Sequence, residues 1–523
     1  MLARRCPTWL VLMAAAIQVA GAARAVVPAQ DGLKFLRVAR EFHAQPFADV
    51  IKHCDQHPLY PICVAAAEPA VSFLLGKGPD AWRVAGQAVS IAAFLAALYP
   101  IFGLARSLFD ARTATLAAMM FALLPATSEV GHDTLSDALA LLGMAWSLRL
   151  GERALRGQRL LDAVGCGLAA GVGYWARPEV LIAPAAVGLV AACRAIGRRR
   201  PLDESRRPRL FPGLAAVGLP ALVLVGGYAT LKGEVSERLS LRIRGVGWAS
   251  AHPALAAIPA QARGLTDPRL DFSAKEESAG RTVDGLASAA ARLVSAWAEG
   301  LGFVFGATAI WGMIRVAAGG GRSLISAYLI MFSCLLILHA ATVGYLSGRH
   351  ALGLVVASLP WSAAGARSIV RGLLGRVGGD EAAIRRRCLV AMALLAAAAV
   401  AVQARKPPHP TRWGHLAAGR WLKAHAGAGE ATLDTRGWAA FVAGGPCYDY
   451  WHVRQALSDS RLRYVVVGAD ELRAQSARAS TLRSLLAMTS TRVAAFPARE
   501  GGTGADIQIY RYQRPSTWEG LAR

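Results

Sequence analysis

Repeated long apolar stretches constrain this chain more than any other feature. Of its 523 residues, 54% are hydrophobic, and the mean hydropathy is positive. Several apolar stretches approach the roughly 17–25 residues that an α-helix needs to cross a bilayer. Charged residues cluster between these stretches instead of spreading evenly along the chain. The sequence therefore predicts a mainly α, polytopic membrane protein built as a bundle of transmembrane helices.

We predict eleven spans from these stretches. They lie near 9–27, 83–105, 113–127, 134–150, 160–176, 179–196, 210–231, 291–314, 324–346, 350–366 and 388–404. The first stretch also resembles a cleavable signal peptide, because it follows Arg4 and Arg5 and ends in small residues. We favour an uncleaved first span, since many further spans follow it.

The arginines set the predicted orientation of these spans. With eleven spans, five arginine-rich loops fall on the same side as Arg4 and Arg5. Basic loops are retained in the cytoplasm, so the N-terminus is predicted cytoplasmic and the C-terminus extracytoplasmic. This bias accounts for the formal net charge of +24 without a nucleic-acid partner. A compact, Arg- and Ala-rich chain of this kind favours a bacterial inner membrane.

The apolar segment 59–76 is predicted not to cross the membrane. It contains Pro61, Glu68 and Pro69, and a full crossing here would place basic loops on both sides. We expect a re-entrant or interfacial helix on the outer face instead, buried against protein.

Two domains follow from this pattern. Residues 1–404 form the transmembrane domain, with long outer loops at 28–82 and 232–290. Residues 405–523 are mixed in polarity and contain two strand patterns, starting at Leu462 and Ile507. The tail is therefore predicted to be a small extracytoplasmic α/β domain.

Acidic residues on the predicted outer side are the first candidates for chemistry. Asp31 directly follows the first span, where it could cap a helix or act as a general base. Asp133 and Asp137 are four positions apart, which places them on one helix face. Glu129 and His132 are close by, so the sequence leaves a divalent metal open, although one short turn is a weak metal signature.

The segment from His57 to Tyr60, followed by Pro61, is a second candidate. His57 could orient a carboxylate or hydrogen-bond a substrate, and a simple stiff turn explains it equally well. Tyr60 is part of the same motif. Glu68 lies deeper in the apolar helix, where an acidic side chain usually faces a cavity or a partner.

Two arginines lie in predicted outer turns, against the overall charge bias. They are Arg177, before Pro178, and Arg349, followed by His350. A single outer arginine is usually a lipid-headgroup anchor. Two arginines in tight turns, on the side of the acidic residues, point to an anionic ligand such as a phosphate.

In their order and shared side, these motifs resemble the GT-C superfamily of polyprenyl-phosphate-sugar glycosyltransferases. The resemblance is greatest to the protein mannosyltransferase and lipid A aminoarabinose transferase type, over about residues 9–365. The family positions are filled here by Asp31, His57–Tyr60, Asp137, Arg177 and Arg349–His350. Gly32 is a departure, because many relatives carry Glu after the first acidic residue.

The resemblance implies a membrane enzyme that transfers a hexosyl or pentosyl group from a polyprenyl-phosphate donor, with inversion, to a lipid, glycan or protein acceptor. Asp31 would be the base, and Arg177 and Arg349 would hold the donor phosphate. His57, Tyr60, Glu68 and His350 would contact substrate. Either Asp137 or Asp133 would fill the second acidic role, and the loop at 232–290 would close over the site.

Two other functions remain open from the sequence. A transporter or flippase for a lipid-linked saccharide could use the same arginines without chemistry. The lack of an internal repeat and the large outer domain argue against it. A non-catalytic membrane scaffold is the second alternative, which Gly32 keeps open.

Overall fold

The computed structural model describes residues 6–157, 159–197, 210–233, 285–316, 322–343, 345–376 and 412–515, with isolated positions between 383 and 401. Within these residues, a helical region precedes a small domain built on a β-sheet. The predicted fold class is confirmed in both respects. Most of the span predicted at 388–404 and of the loop predicted at 232–290 lies outside the described residues.

The helical region begins with short and long helices that pack around one long helix, α5. In chain order they are α1 (Thr8–Arg24), α2 (Gln30–Ala44), α3 (Phe47–His53), α4 (Leu59–Leu75), α5 (Pro79–Leu108), α6 (Ala111–Leu123), α7 (Pro125–His132), α8 (Asp137–Gly157), α9 (Leu160–Tyr174), α10 (Ile182–Gly197) and α11 (Leu210–Lys232). The later helices are α12 (Leu286–Leu301), α13 (Val304–Arg315), α14 (Arg322–Val343) and α15 (Leu352–Arg376). Single 3₁₀ turns, Pro178–Leu181 and Gly348–Ala351, precede α10 and α15.

Within the described residues, five helical segments are long and apolar enough to cross a membrane. They are Pro79–Leu108, Pro178–Ile196, Gly213–Lys232, Arg322–Thr342 and Gly348–Leu374. Two bent helix pairs raise the number to seven if each pair is one span. The count of eleven therefore stays a prediction, although each predicted span up to residue 366 coincides with a described helix or helix pair.

Two predicted single spans are broken in the structure. The span at 113–127 divides into α6 and α7, which meet at 61°. The break falls at Pro125, because proline cannot donate a backbone hydrogen bond and excludes helical backbone in the residue before it. The span at 291–314 divides into α12 and α13, bent by 104°. There, Gly302 and Phe303 adopt φ angles of 70° and 42°, which end one helix and redirect the chain.

The segment predicted as re-entrant or interfacial forms the continuous helix α4, packed against α2 and α5. One face is buried, and it includes Tyr60 and Glu68. At the far end, Phe73, Leu74 and Leu75 are largely exposed. An apolar, uncovered helix end is what a helix at a membrane surface presents to lipid, so the interfacial placement remains the prediction.

The C-terminal domain is built on a five-stranded mixed sheet. Its strands are β1 (Ala431–Asp434), β2 (Cys447–Tyr448), β3 (Leu462–Gly468), β4 (Ser490–Phe496) and β5 (Ile507–Tyr512), in the order β2-β1-β3-β5-β4. β1 pairs in parallel with β2 and β3, and β5 is antiparallel to β3 and β4. The strand patterns predicted at Leu462 and Ile507 are thus adjacent strands.

Helices cover both faces of this sheet. They are α16 (Arg412–His425), α17 (Trp438–Ala443), α18 (Val453–Ser458), α19 (Ala469–Arg473) and α20 (Ala477–Thr489). Alternate residues of β3 point to opposite faces. Val466 joins the core with α16, whereas Val465 and Val467 join the core with α18 and α20. This explains why residues 464–467 of β3 are apolar without alternation.

Charged side chains lie near both ends of α5. At its C-terminal end, Arg156 donates to the carbonyl of Ser107, and Arg367 pairs with Asp110. At its N-terminal end, Arg83 donates to the carbonyl of Ala25, next to the start of α2. Thirty helical residues span about 45 Å. The basic loops are therefore remote from the end that carries Asp31, as the charge pattern predicts.

Candidate active site

Arg349 brings together two carboxylates that are far apart in sequence. It lies in the 3₁₀ turn before α15, and its Nη1 donates to Oδ2 of Asp31 at 2.7 Å. Its Nη2 donates to Oδ2 of Asp137 at 2.6 Å. One guanidinium thus bridges the first turn of α2 and the start of α8, and fixes the separation of two carboxylates.

Arg177 continues this cluster on the other side of Asp137. Its Nη1 lies 3.2 Å from Oδ1 of Asp137 and 2.9 Å from Oε1 of Glu179. Burial disfavours the charged guanidinium, but Asp137 and Glu179 outweigh it and hold the pKa of Arg177 above its usual value. The cluster therefore alternates in charge from Asp31 through Arg349, Asp137 and Arg177 to Glu179.

The carboxylates differ sharply in their access to solvent. The Asp31 side chain is 52% exposed, whereas that of Asp137 is 2% exposed. Arg349 lies between them at 32%. Asp31 can therefore reach an incoming molecule, while Asp137 stays behind the arginines and holds them in place.

A small cavity opens beside the cluster. Asp137, Arg177 and Arg349 form its polar wall, and Met144 and Phe332 contribute to an apolar wall. Glu179, His350 and Tyr328 also line it. Charged and apolar side chains therefore meet at this small cavity, next to the two arginines.

His57 borders the cluster through an aromatic group. Its ring stacks on Tyr228 and meets Tyr174 edge-on, with both ring centroids 5.3 Å away. Burial lowers the pKa of His57 to about 4, against the opposing influence of Glu179 and with that of Arg177. His350 lies in the turn that contains Arg349, where its Nδ1 contacts the hydroxyl of Ser347 at 2.7 Å.

Tyr60 and Glu68 lie outside the cluster. The Tyr60 hydroxyl is fully buried and donates to the carbonyl of Gly86 at 2.8 Å. Glu68 accepts from Ser72 and lies 3.9 Å from the ring of His43. Both side chains make contacts within the packing of α2, α4 and α5.

Asp133 belongs to a different cluster, at the contact with the C-terminal domain. Its Oδ2 lies 2.9 Å from Nη1 of Arg412, and its Oδ1 accepts from the backbone N–H of Ala29. Asp137 is therefore the acid of this pair that meets Asp31 and the two arginines. Glu129 and His132 lie in α7, and the described residues contain no group of three or more His, Cys, Asp or Glu arranged to hold a metal.

Three residues important to these clusters were not among the sequence candidates. Glu179 follows Arg177 by two positions, and this spacing was the available signal. Tyr328 lies in an apolar helix, and Arg412 lies in a basic stretch of the tail. Neither has a local pattern that distinguishes it from a core tyrosine or a surface arginine.

The chain is similar to known proteins in both sequence and fold. Residues 69–223 match the sequence model of the family described as dolichyl-phosphate-mannose-protein mannosyltransferase. The crystal structure of ArnT from Cupriavidus metallidurans bound to undecaprenyl phosphate has a TM-score of 0.59 and 14% identity, covering 98% of each chain. The predicted resemblance to the GT-C superfamily is confirmed.

Two further solved structures match the chain at similarly low sequence identity. The apo state of the same ArnT has a TM-score of 0.54 and 14% identity, covering 95% of each chain. The oligosaccharyltransferase AglB from Archaeoglobus fulgidus has a TM-score of 0.48 and 13% identity over 98% of this chain and 76% of its own, a likeness too distant to carry a conclusion. Curated protein sequences gave no match. The apolar helices and the similarity to the ArnT fold identify an integral membrane protein.

Proposed function

We propose that this protein is a membrane glycosyltransferase that moves a sugar from a polyprenyl-phosphate donor to an acceptor hydroxyl, with inversion at the anomeric carbon. The observation that carries the proposal is the contact of Arg349 with both Asp31 and Asp137. It places a half-exposed carboxylate next to a guanidinium that can bind phosphate. ArnT, whose fold is similar, was crystallised with undecaprenyl phosphate, which supports this class of donor.

The arginines are suited to the leaving group. A polyprenyl-phosphate sugar carries a phosphodiester that gains negative charge as the bond to the sugar breaks. Arg349 and Arg177 would donate hydrogen bonds to the oxygens of this phosphate. Preorganised positive charge of this kind stabilises the transition state. The apolar wall near Met144 and Phe332 would accommodate the start of the lipid.

Asp31 is suited to the role of base. Phosphate binding at Arg349 would compete with Asp31 for the guanidinium and leave the Asp31 carboxylate free to accept a proton. The proton would come from the acceptor hydroxyl, whose oxygen attacks the anomeric carbon as the bond between that carbon and the phosphate oxygen breaks. Polyprenyl phosphate then leaves with the electron pair, and a single displacement of this kind inverts the anomeric centre.

Asp137 would keep both arginines in position through this exchange. It contacts Arg349 through one oxygen and lies 3.2 Å from Arg177 through the other. We assign it the second acidic role and place His57 and His350 at the edge of the substrate site.

A reconstituted assay tests the proposal directly. The protein in liposomes would be given undecaprenyl phosphate linked to mannose, glucose, galactose or 4-amino-4-deoxyarabinose, with lipid A, a Ser/Thr-rich peptide or a core oligosaccharide as acceptor. We expect release of undecaprenyl phosphate coupled to formation of a glycosylated product. Asp31→Asn should lower turnover by about 10²–10⁴-fold, the usual effect of removing a general base.

The matched control is Asp80→Asn, which changes an aspartate that is 84% exposed at the start of α5. Its turnover should equal that of the wild type. Transfer that survives Asp31→Asn would remove Asp31 from the mechanism. Movement of donor across the bilayer without any product would instead establish a flippase and overturn the proposed transfer.

A further inference from the structure

The contact between Asp133 and Arg412 is a buried ion pair between the helical region and the C-terminal domain. The two side chains are 2% and 9% exposed. Such a pair is stable only when further hydrogen bonds satisfy both groups. Here Oδ1 of Asp133 accepts from the backbone N–H groups of Ala29 at 2.8 Å and Thr134 at 2.7 Å.

The C-terminal domain holds the same backbone segment from the other side. Nη1 of Arg412 also donates to the carbonyl of Val27 at 3.2 Å. Nε1 of Trp438 donates to the carbonyl of Pro28 at 2.8 Å. Three consecutive residues, 27–29, are therefore fixed by Asp133 and by two side chains of the C-terminal domain.

This segment leads directly into the turn that carries Asp31. The next residue, Gly32, packs against Thr134 so closely that a Cβ atom would lie 1.9 Å from Oγ1 of Thr134 and 2.7 Å from its carbonyl oxygen. A longer side chain at this position would require Thr134 or the start of α2 to move. The start of α2 is therefore held on both sides of Asp31.

We propose that Asp133, Arg412 and Trp438 form a clamp that positions Asp31, so that turnover depends on the docked C-terminal domain. The inference rests on the proposed function, since these are positioning residues for the proposed base. Displacement of a reacting group by about 1 Å can slow a reaction by about a hundredfold.

The test removes both charges of the pair at once. The double variant Asp133→Asn, Arg412→Met leaves no unpaired buried charge but releases the carbonyl of Val27. We expect kcat to fall at least about tenfold with little change in the KM for the donor, because the phosphate-binding arginines lie on other elements. The donor is whichever of the four undecaprenyl-phosphate sugars the wild type turns over fastest.

Hydrogen exchange gives a second readout that needs no donor. In the double variant, peptides covering residues 27–36 should exchange at least about tenfold faster, while peptides from β3 and α8 match the wild type. The matched control is Asp110→Asn, Arg367→Met. That pair also joins distant elements, and Asp110 also accepts from a helix-start N–H, but at the other end of α5. It should change neither readout.

Trp438→Phe provides a milder test in case the double variant does not fold. It removes only the Nε1–H donor to Pro28 and keeps an aromatic ring beside Arg412. A smaller loss of kcat with an unchanged melting temperature supports the clamp. Unchanged kcat and exchange in both variants, or faster exchange across the whole chain, would overturn it.

Failure of the clamp and failure of the proposed function give different results. If Asp31→Asn is inactive while the clamp variants behave like the wild type, only the clamp is wrong. If Asp31→Asn is fully active, the proposed base is wrong, and the exchange of residues 27–36 still decides whether the clamp orders the start of α2.

Discussion

Asp133 and Asp137 are separated by four residues, yet they belong to two clusters of opposite character. Asp137 shares the arginines Arg177 and Arg349 with carboxylates that include the half-exposed Asp31. Asp133 pairs with Arg412 in a contact that is almost closed to solvent. In the proposed mechanism the first cluster exchanges a carboxylate for a phosphate, and each of its arginines contacts two acids. The second has no such freedom, because both of its charges are buried and each is the other's ion-pair partner.

The difference shows that residue type and predicted side are insufficient to assign a catalytic role. Both aspartates are predicted on the outer side and on one helix face, so either could fill the second acidic role. The structure separates them by what they contact. Asp137 contacts the two arginines that line the cavity, whereas Asp133 is a buried group that fixes backbone.

The comparison predicts opposite effects for two identical substitutions. Asp137→Asn should lower turnover by about 10²–10³-fold, since it disturbs the electrostatics of both arginines proposed to bind the phosphate. Its effect on stability should be small, because Arg177 keeps Glu179 and Arg349 keeps Asp31. Turnover in liposomes and the midpoint of thermal unfolding in detergent would measure the two effects.

Asp133→Asn should have the opposite effect, with a large loss of stability and a smaller loss of turnover. Breaking a buried ion pair by removing one partner costs about 3–5 kcal/mol, so the thermal midpoint should fall clearly while turnover falls only about tenfold. If Asp133→Asn proves to be the more damaging to turnover and the less damaging to stability, the assignment of the two acids has to be exchanged.

The sequence predicted the fold because the signals for it are local. Apolar length locates the helices, and the strand patterns of β3 and β5 locate the sheet. The bend of 104° between α12 and α13 was not predictable. Apolar length does not report backbone angles, and Gly302 is one of many glycines within apolar segments of the chain.

The site was predicted only in part, because some of its contacts join segments that are far apart in the sequence. Asp31, Asp137, Arg177 and Arg349 were recognisable by their order and side, and the structure brings all four together. Arg412 was not recognisable, because its partner is 279 residues earlier in the chain. A buried ion pair between distant segments leaves no pattern in a single sequence.

Gly32→Ala tests the backbone between the two clusters, where Gly32 packs against Thr134. The added methyl group meets the side chain and carbonyl of Thr134, and overpacking of this kind costs about 1–3 kcal/mol. Because the start of α2 must move, we expect turnover to fall about tenfold as well. The control is Gly226→Ala in α11, where an added Cβ meets no atom within 4 Å. Equal turnover in both variants would show that the position of Asp31 tolerates the shift.

The smallest expected effect concerns His57 and depends on pH. Burial lowers its pKa from 6.5 to about 4, so between these values the unfolded chain binds a proton that the folded protein does not. The stability that follows from the lowered pKa of His57 is therefore fully present above about pH 6.5, and it is lost as the pH falls towards 4. His57→Phe keeps an aromatic ring beside Tyr174 and Tyr228 but cannot ionise. Its thermal midpoint should change less than that of the wild type between pH 6.5 and 4.

His53→Gln is the matched control, since His53 is exposed and its loss should leave the wild-type pH dependence in place. An identical decline in the His57→Phe variant would show that other groups govern stability in this range.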